Sequence, residues 1–238
     1  DAILITDGEH NILVDTGYRE TAEQLTARLK ELNVTSLDLL ILTHFDKDHI
    51  GGAAAIIDGF NVQEILQGGY VKDSSHYSSY IQALRRKGIT AKLVDRDLER
   101  SYGSLRLRIN PPAEKEYEKN PSNNSSLITM LDFHDYSFLL MGDAENLRLK
   151  EYADLAVTAE TNVILKVPHH GDYHKNLALI LDRYHPLASV ICCSETDPEP
   201  AEVEKTCALL SQYGSEIYRT PLGEVWIAID QGKITIRQ

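Results

Sequence analysis

Two histidines and two aspartates fall within six positions of LILTHFDKDHIGG, residues 40–52: His44, Asp46, Asp48 and His49. Imidazole nitrogens and carboxylate oxygens are ligands for divalent cations. In an extended segment alternate side chains share a side, so His44, Asp46 and Asp48 can face one point while His49 opens the following helix. Aspartate ahead of a helix also serves as an N-cap. Capping accounts for one aspartate or two, but not for the flanking histidines or for the Gly51–Gly52 pair, which lets backbone pack closely. A metal site is the better reading.

Three other segments place polar residues beside an apolar run. FLLMGDAE delivers Asp143 after Gly142; ILKVPHHGD delivers His169 and His170; NPSNNSSLITM sets Asn123 and Asn124 just before a strand. A glycine–aspartate pair after a strand is an ordinary turn when it stands alone, and a histidine pair is equally at home on a surface. Four such strand ends in one chain are better explained by one chemical site. Asp15, in ILVDTG, reads either as a buried residue orienting a ligand histidine or as a turn-stabilising aspartate. His174 can line the same pocket. His10, His76, His134 and His185 read as surface residues, and Tyr77 and Tyr173 as packing residues that could instead form a stacking wall.

The order HxDxDHxGG, N-x-x-S before a strand, LLMGDAE, LKVPHHG and a closing YRTPLGEVWIAIDQGKITI resembles the metallo-β-lactamase superfamily. More narrowly it is similar to the β-lactamase-like domain of the ComEC/Rec2 competence DNA-uptake proteins. The resemblance implies a four-layer αββα sandwich with two divalent metal ions, His44 and Asp46 on the first, Asp48 and His49 on the second, Asp143 bridging and His170 a ligand. It further implies catalytic roles for Asp48 and for His169, the latter beside the leaving group, with metal-activated hydroxide as nucleophile on an ester or phosphodiester. Asp46 stands where many members carry histidine, and a separate histidine before the GD strand is absent, with Asn123 or Asn124 in that region as candidate metal or substrate contacts. Both changes replace nitrogen by oxygen, so manganese or magnesium suits the first position beside zinc, and one ion is expected to bind weakly.

Strands must hold these residues. AILIT and NILVDTG read as a hairpin, ETAEQLTARLKELNV as a helix with a Thr21–Gln24 capping box, LDLLILTH as a buried strand, and HIGGAAAIIDG as a short helix ended by Gly59. Strands follow near VQEIL, AKLVD, LRLRI, SLITMLDF, SFLLMG, NVILKV, ASVICC, VWIAI and KITIR, and helices near SSYIQALRRKG, 145–154, 174–184 and 200–213. About a dozen strands and six helices predict an α/β layered fold. Residues 110–125, polar and proline-containing, read as a long loop between two half-sheets, and residues 1–238 as one domain.

The formal net charge of −12, from 24 Lys and Arg against 36 Asp and Glu, argues against strong nonspecific attraction to nucleic acid. The substrate expected is a small-molecule or nucleic-acid phosphodiester; small esters, lactones or choline phosphoesters, or a weakly active metal-binding domain of a DNA-uptake assembly, are the alternatives. Cys192, Cys193 and Cys207 form neither a metal-spaced pair nor an even disulfide set and read as core packing. No apolar run reaches the roughly 18 residues that span a bilayer, so the chain is expected to be soluble, either cytoplasmic or extracytoplasmic after loss of a leader or membrane domain. The opening strand DAILIT suggests that something precedes it in the natural gene.

Overall fold

The computed structural model describes residues 1–155, 157–194 and 198–238. The chain folds into two compact units, Asp1–Leu98 with Asn110–Leu127, and Glu99–Ile109 with Ile128–Gln238.

The first unit is built on a five-stranded sheet of order β1-β2-β3-β4-β5, formed by β1 (Ile3–Thr6), β2 (Asn11–Val14), β3 (Ser36–Leu42), β4 (Asn61–Gln67) and β5 (Lys92–Leu93). β1 and β2 make the expected antiparallel hairpin, and the remaining neighbours pair in parallel. Crossovers between parallel strands require helices, here α1 (Ala22–Glu31), α2 (Lys47–Ile50), α3 (Ala53–Gly59) and α4 (Ser75–Lys87). The five residues Leu37 and Leu39–Leu42 of β3 are 0% exposed; a run buried on both faces is the signature of a central parallel strand. Each such leucine contributes roughly 1.5–3 kcal/mol relative to an exposed one. Leu29, Ile56, Ile57 and Tyr80 pack with Leu40 and Leu42 in one core cluster. Residues 110–125, read from the sequence as loop, contain a short helix, α5 (Pro121–Asn124).

Two local expectations are corrected. The Thr21–Gln24 capping box does not form: Thr21 makes no side-chain cap, and its hydroxyl donates to the Tyr18 carbonyl instead. The HIGGAAAIIDG helix breaks into α2 and α3 at Gly51–Gly52. A Cβ on Gly51 would lie 2.3 Å from the Arg19 nitrogen and 2.4 Å from the Lys47 oxygen; one on Gly52 would lie 2.4 Å from the Thr16 oxygen. These contacts with rigid backbone pin the helix that follows the His/Asp motif. Gly51→Ala is therefore expected to cost at least about 1–3 kcal/mol through overpacking, read from the urea midpoint; an unchanged midpoint contradicts the close packing.

The second unit carries a seven-stranded sheet of order β12-β11-β10-β9-β8-β7-β6, from β6 (Leu98–Tyr102), β7 (Leu105–Asn110), β8 (Ile128–Phe133), β9 (Tyr136–Leu140), β10 (Asn162–Lys166), β11 (Ala188–Ile191) and β12 (Glu216–Arg219). A separate antiparallel hairpin joins β13 (Trp226–Asp230) to β14 (Lys233–Arg237). Strands β9 to β12 run parallel; helices α6 (Asn146–Asp154), α7 (Leu177–Tyr184) and α8 (Pro200–Gln212) supply its core with Leu149, Tyr152, Ile180, Leu181, Val203 and Leu210. Cys193 and Cys207 pack against this core, and all three cysteines are free. Among the described residues no helix is long and apolar enough to cross a membrane.

Candidate metal centre

β3 ends at Leu42 and hands the chain to Thr43 and His44, both buried. Asp46 is the backbone N-cap residue of α2, yet its side chain makes no cap hydrogen bond, so helix capping does not explain it. Its two carboxylate oxygens instead accept from the Lys72 ammonium at 2.9 and 2.8 Å, and the Ser122 hydroxyl of α5 donates to Oδ1. Burial would push the Asp46 carboxyl up; His44, Lys72 and Ser122 outweigh it and hold the group below the ordinary carboxylate value.

Asp15 lies at the end of β2 with φ +58°, and sits 2% exposed at the hub of a polar network. It accepts from the Thr43 backbone N–H at 2.8 Å and from the Thr43 hydroxyl at 2.7 Å, and its Oδ2 lies 2.7 Å from His49 Nδ1. Burial alone would raise its pKa; the facing His49, His44 and the Thr43 N–H prevail and lower it. The geometry fixes ring protons. His49 must carry its proton on Nδ1 to meet a carboxylate, which turns the Nε2 lone pair outward, 3.6 Å from Asp48 Oδ2. His44 Nδ1 lies 3.1 Å from the Thr43 hydroxyl, whose own proton goes to Asp15. The Ser126 hydroxyl lies 3.4 Å from the same Nδ1.

In the second unit Asp143 follows β9, and the histidine pair follows β10. His169, His170 and Gly171 take consecutive left-handed φ values of +46°, +54° and +87°. Two successive non-glycine residues there are strained, a feature that clusters at functional sites. His170 Nδ1 lies 2.8 Å from the Cys192 carbonyl, an acceptor only, so Nε2 again offers the lone pair, now 3.2 Å from Asp143 Oδ2. A proton on Nε2 or a shared cation satisfies a contact at that distance. The donor sets thus fit divalent metal: His49 and His170 each face an acceptor at Nδ1 and a carboxylate at Nε2.

His169 is placed differently. Its Nδ1 lies 3.1 Å from His174 Nε2, with the rings stacked 5.4 Å apart, and 3.7 Å from Glu145 Oε1. Burial and then the neighbouring His169 push His174 below the ordinary imidazole value. Asn124 directs its amide nitrogen to the Lys119 and Asn120 carbonyls. Tyr77 packs edge-on to Phe45, while Tyr173 is 39% exposed. Sequence reasoning missed Lys72, Ser122 and the buried Lys166, whose ammonium donates to the Gly142 carbonyl at 3.1 Å and lies 3.9 Å from Asp143 Oδ1. Thr43 was signalled only by standing directly before His44.

Known proteins resemble this chain in sequence and in fold. The chain is 27% identical over 227 residues to ComE operon protein 3 of Bacillus subtilis (strain 168), covering 88% of this chain and 29% of that protein. It is 25% identical over 242 residues to Recombination protein 2 of Haemophilus influenzae, covering 100% and 28%; it therefore spans less than a third of either relative. Among solved structures, the metallo-beta-lactamase fold protein YhfI from Bacillus subtilis superposes with TM-score 0.62 at 12% identity, covering 95% of this chain and 90% of that one. CmlA, a diiron beta-hydroxylase from Streptomyces venezuelae, gives 0.58 at 16% identity, covering 92% and 51%. The α/β fold expected from the sequence is thus the one observed. The Metallo-beta-lactamase superfamily profile matches residues 1–194, and the chain belongs to that superfamily.

Proposed function

We propose that the chain is a metal-dependent hydrolase of phosphodiester bonds. Superfamily membership and the His/Asp ligand sets support the metal-dependent hydrolase; the phosphodiester is our own reading. In it, Asp48 and His49 of the first unit, and Asp143 and His170 of the second, would each offer ligands to divalent metal, and His44 and Asp46 would serve a weaker position. Such an ion, zinc or manganese, lowers the pKa of a water toward about 7 and supplies a Lewis acid at neutral pH. The observation that carries the reading is the pair of acceptors at Nδ1, the Asp15 carboxylate for His49 and the Cys192 carbonyl for His170, which leaves each Nε2 to a ligand role.

The residues around the ion have separate tasks. Asp15 and Thr43 keep two rings in register through hydrogen bonds that need no reorganisation during reaction. His169, set beside His170 and backed by His174 and Glu145, stands as a hydrogen-bond donor for the leaving oxygen. The carboxylate-rich donor set favours harder ions than an all-histidine site, and hard ions pair with phosphoryl oxygens. One of the two relatives is named for recombination, which accords with a nucleic-acid phosphodiester. The net charge of −12 favours instead a small phosphoester or carboxylic ester.

Turnover of bis-p-nitrophenyl phosphate against p-nitrophenyl acetate and a lactone, each with Mn²⁺ or Zn²⁺, separates these readings. We expect phosphodiester cleavage that stops on chelation and returns with metal. Cleavage of the acetate or lactone alone would replace the phosphodiester reading.

A further inference from the structure

The Asp46 carboxylate, expected from the sequence as a metal ligand, faces a cation of the chain's own. Lys72, in the connection from β4 to α4, lies 26 residues beyond Asp46 and grips both oxygens of its carboxylate, at 2.9 and 2.8 Å. Ser122 donates to Oδ1 of the same group. A carboxylate with an ammonium across both oxygens and a hydroxyl on one has its lone pairs directed at protein donors. Among the described residues, neither His44 nor Asp46 joins a group of three or more side chains able to hold a metal. The third nitrogen ligand many superfamily members would place here is also absent, and Asn124 spends its amide nitrogen on loop carbonyls. The Lys72 side chain is 47% exposed, so the ammonium can swing into solvent.

We propose that Lys72 is the resident cation of the His44–Asp46 position, and that a divalent ion enters there only by displacing it. This rests on the metal-centre reading above and specifies it: the chain carries one tightly bound divalent ion, with lysine serving as the second positive charge. An ammonium brings a fixed single charge and cannot act as a Lewis acid, so chemistry requiring two metal ions is suppressed while the carboxylate stays neutralised. Like charges within a few ångströms oppose each other strongly where water is partly excluded. Lysine and divalent ion therefore compete rather than share Asp46.

The test is metal stoichiometry of the full chain, stripped with chelator and titrated with Mn²⁺, read by calorimetry and by elemental analysis after desalting. Wild type should hold one tight ion. Lys72→Met, which keeps the apolar stem and drops the charge, should gain a second ion bound at least roughly tenfold more tightly than any second ion of wild type. Lys72→Arg should behave as wild type, and Asp46→Asn in the Lys72→Met background should erase the gain. Two equally tight ions in wild type, or a Lys72→Met variant no different from wild type, would overturn the assignment while leaving the principal site intact. A wild-type chain that takes up no Mn²⁺ would sink the metal-centre reading and this one together.

Discussion

His170→Ala should reduce metal-dependent phosphodiester turnover by roughly 10²–10³-fold or more, the scale seen when a group acting directly on the reacting centre is deleted. The side chain is fixed by its contact with the Cys192 carbonyl and by a left-handed backbone that few residues adopt. His169 does not substitute, because its Nδ1 is turned to His174. Asp48→Ala should lose activity on the same scale. Steady-state kinetics on bis-p-nitrophenyl phosphate at saturating Mn²⁺ measures this. Wild-type rates in both single variants would remove these residues from the metal centre.

Asp15→Ala carries the second largest effect, on stability as well as on metal. The substitution leaves a buried His49 ring and the Thr43 N–H and hydroxyl without their common acceptor. A buried donor left without its acceptor costs about 1–3 kcal/mol. Loss of the group that sets the tautomer of a ligand histidine lowers metal affinity by about 10–100-fold. Asp15→Asn separates charge from shape, because asparagine tolerates the left-handed φ of +58° at little cost; it should fold better than Asp15→Ala yet bind metal less well than wild type. The pH dependence has a definite sign. The folded-state pKa of Asp15 is lowered from 3.8, so its contribution is fully present above 3.8 and is lost as pH falls through the lower folded value. Urea midpoints of wild type should therefore drop more steeply below pH 3.8 than those of Asp15→Asn; parallel curves would show that Asp15 is not held ionised by its partners.

Much of this was legible in the sequence, for physical reasons that can be named. LLIL at residues 39–42 is an unbroken apolar run because that part of β3 is buried on both faces, and the strands that deliver Asp143 and His170 carry similar buried runs. Polar residues at the ends of such runs stand out. β6, LERSY, was not legible because its residues alternate between exposed and half-buried with no apolar face, and β12, EIYR, has only four residues flanked by charge. The glycine pair after His49 was read as permission for close packing, yet it also divides one expected helix into two, since backbone of residues 16–19 presses on it. Lys72 had no sequence signature at all. Nothing in GGYVKDSS distinguishes a lysine that reaches Asp46 from one that faces water; only the turn after β4 brings it there.

The most direct measurement is an anomalous difference map from crystals of the full chain soaked in Mn²⁺. The account predicts manganese within about 2.0–2.3 Å of Nε2 of His49 and a carboxylate oxygen of Asp48, and within the same distance of Nε2 of His170 and a carboxylate oxygen of Asp143. It predicts little or no peak at Asp46 while Lys72 is present. A principal peak away from these four side chains, or none at all, would contradict it.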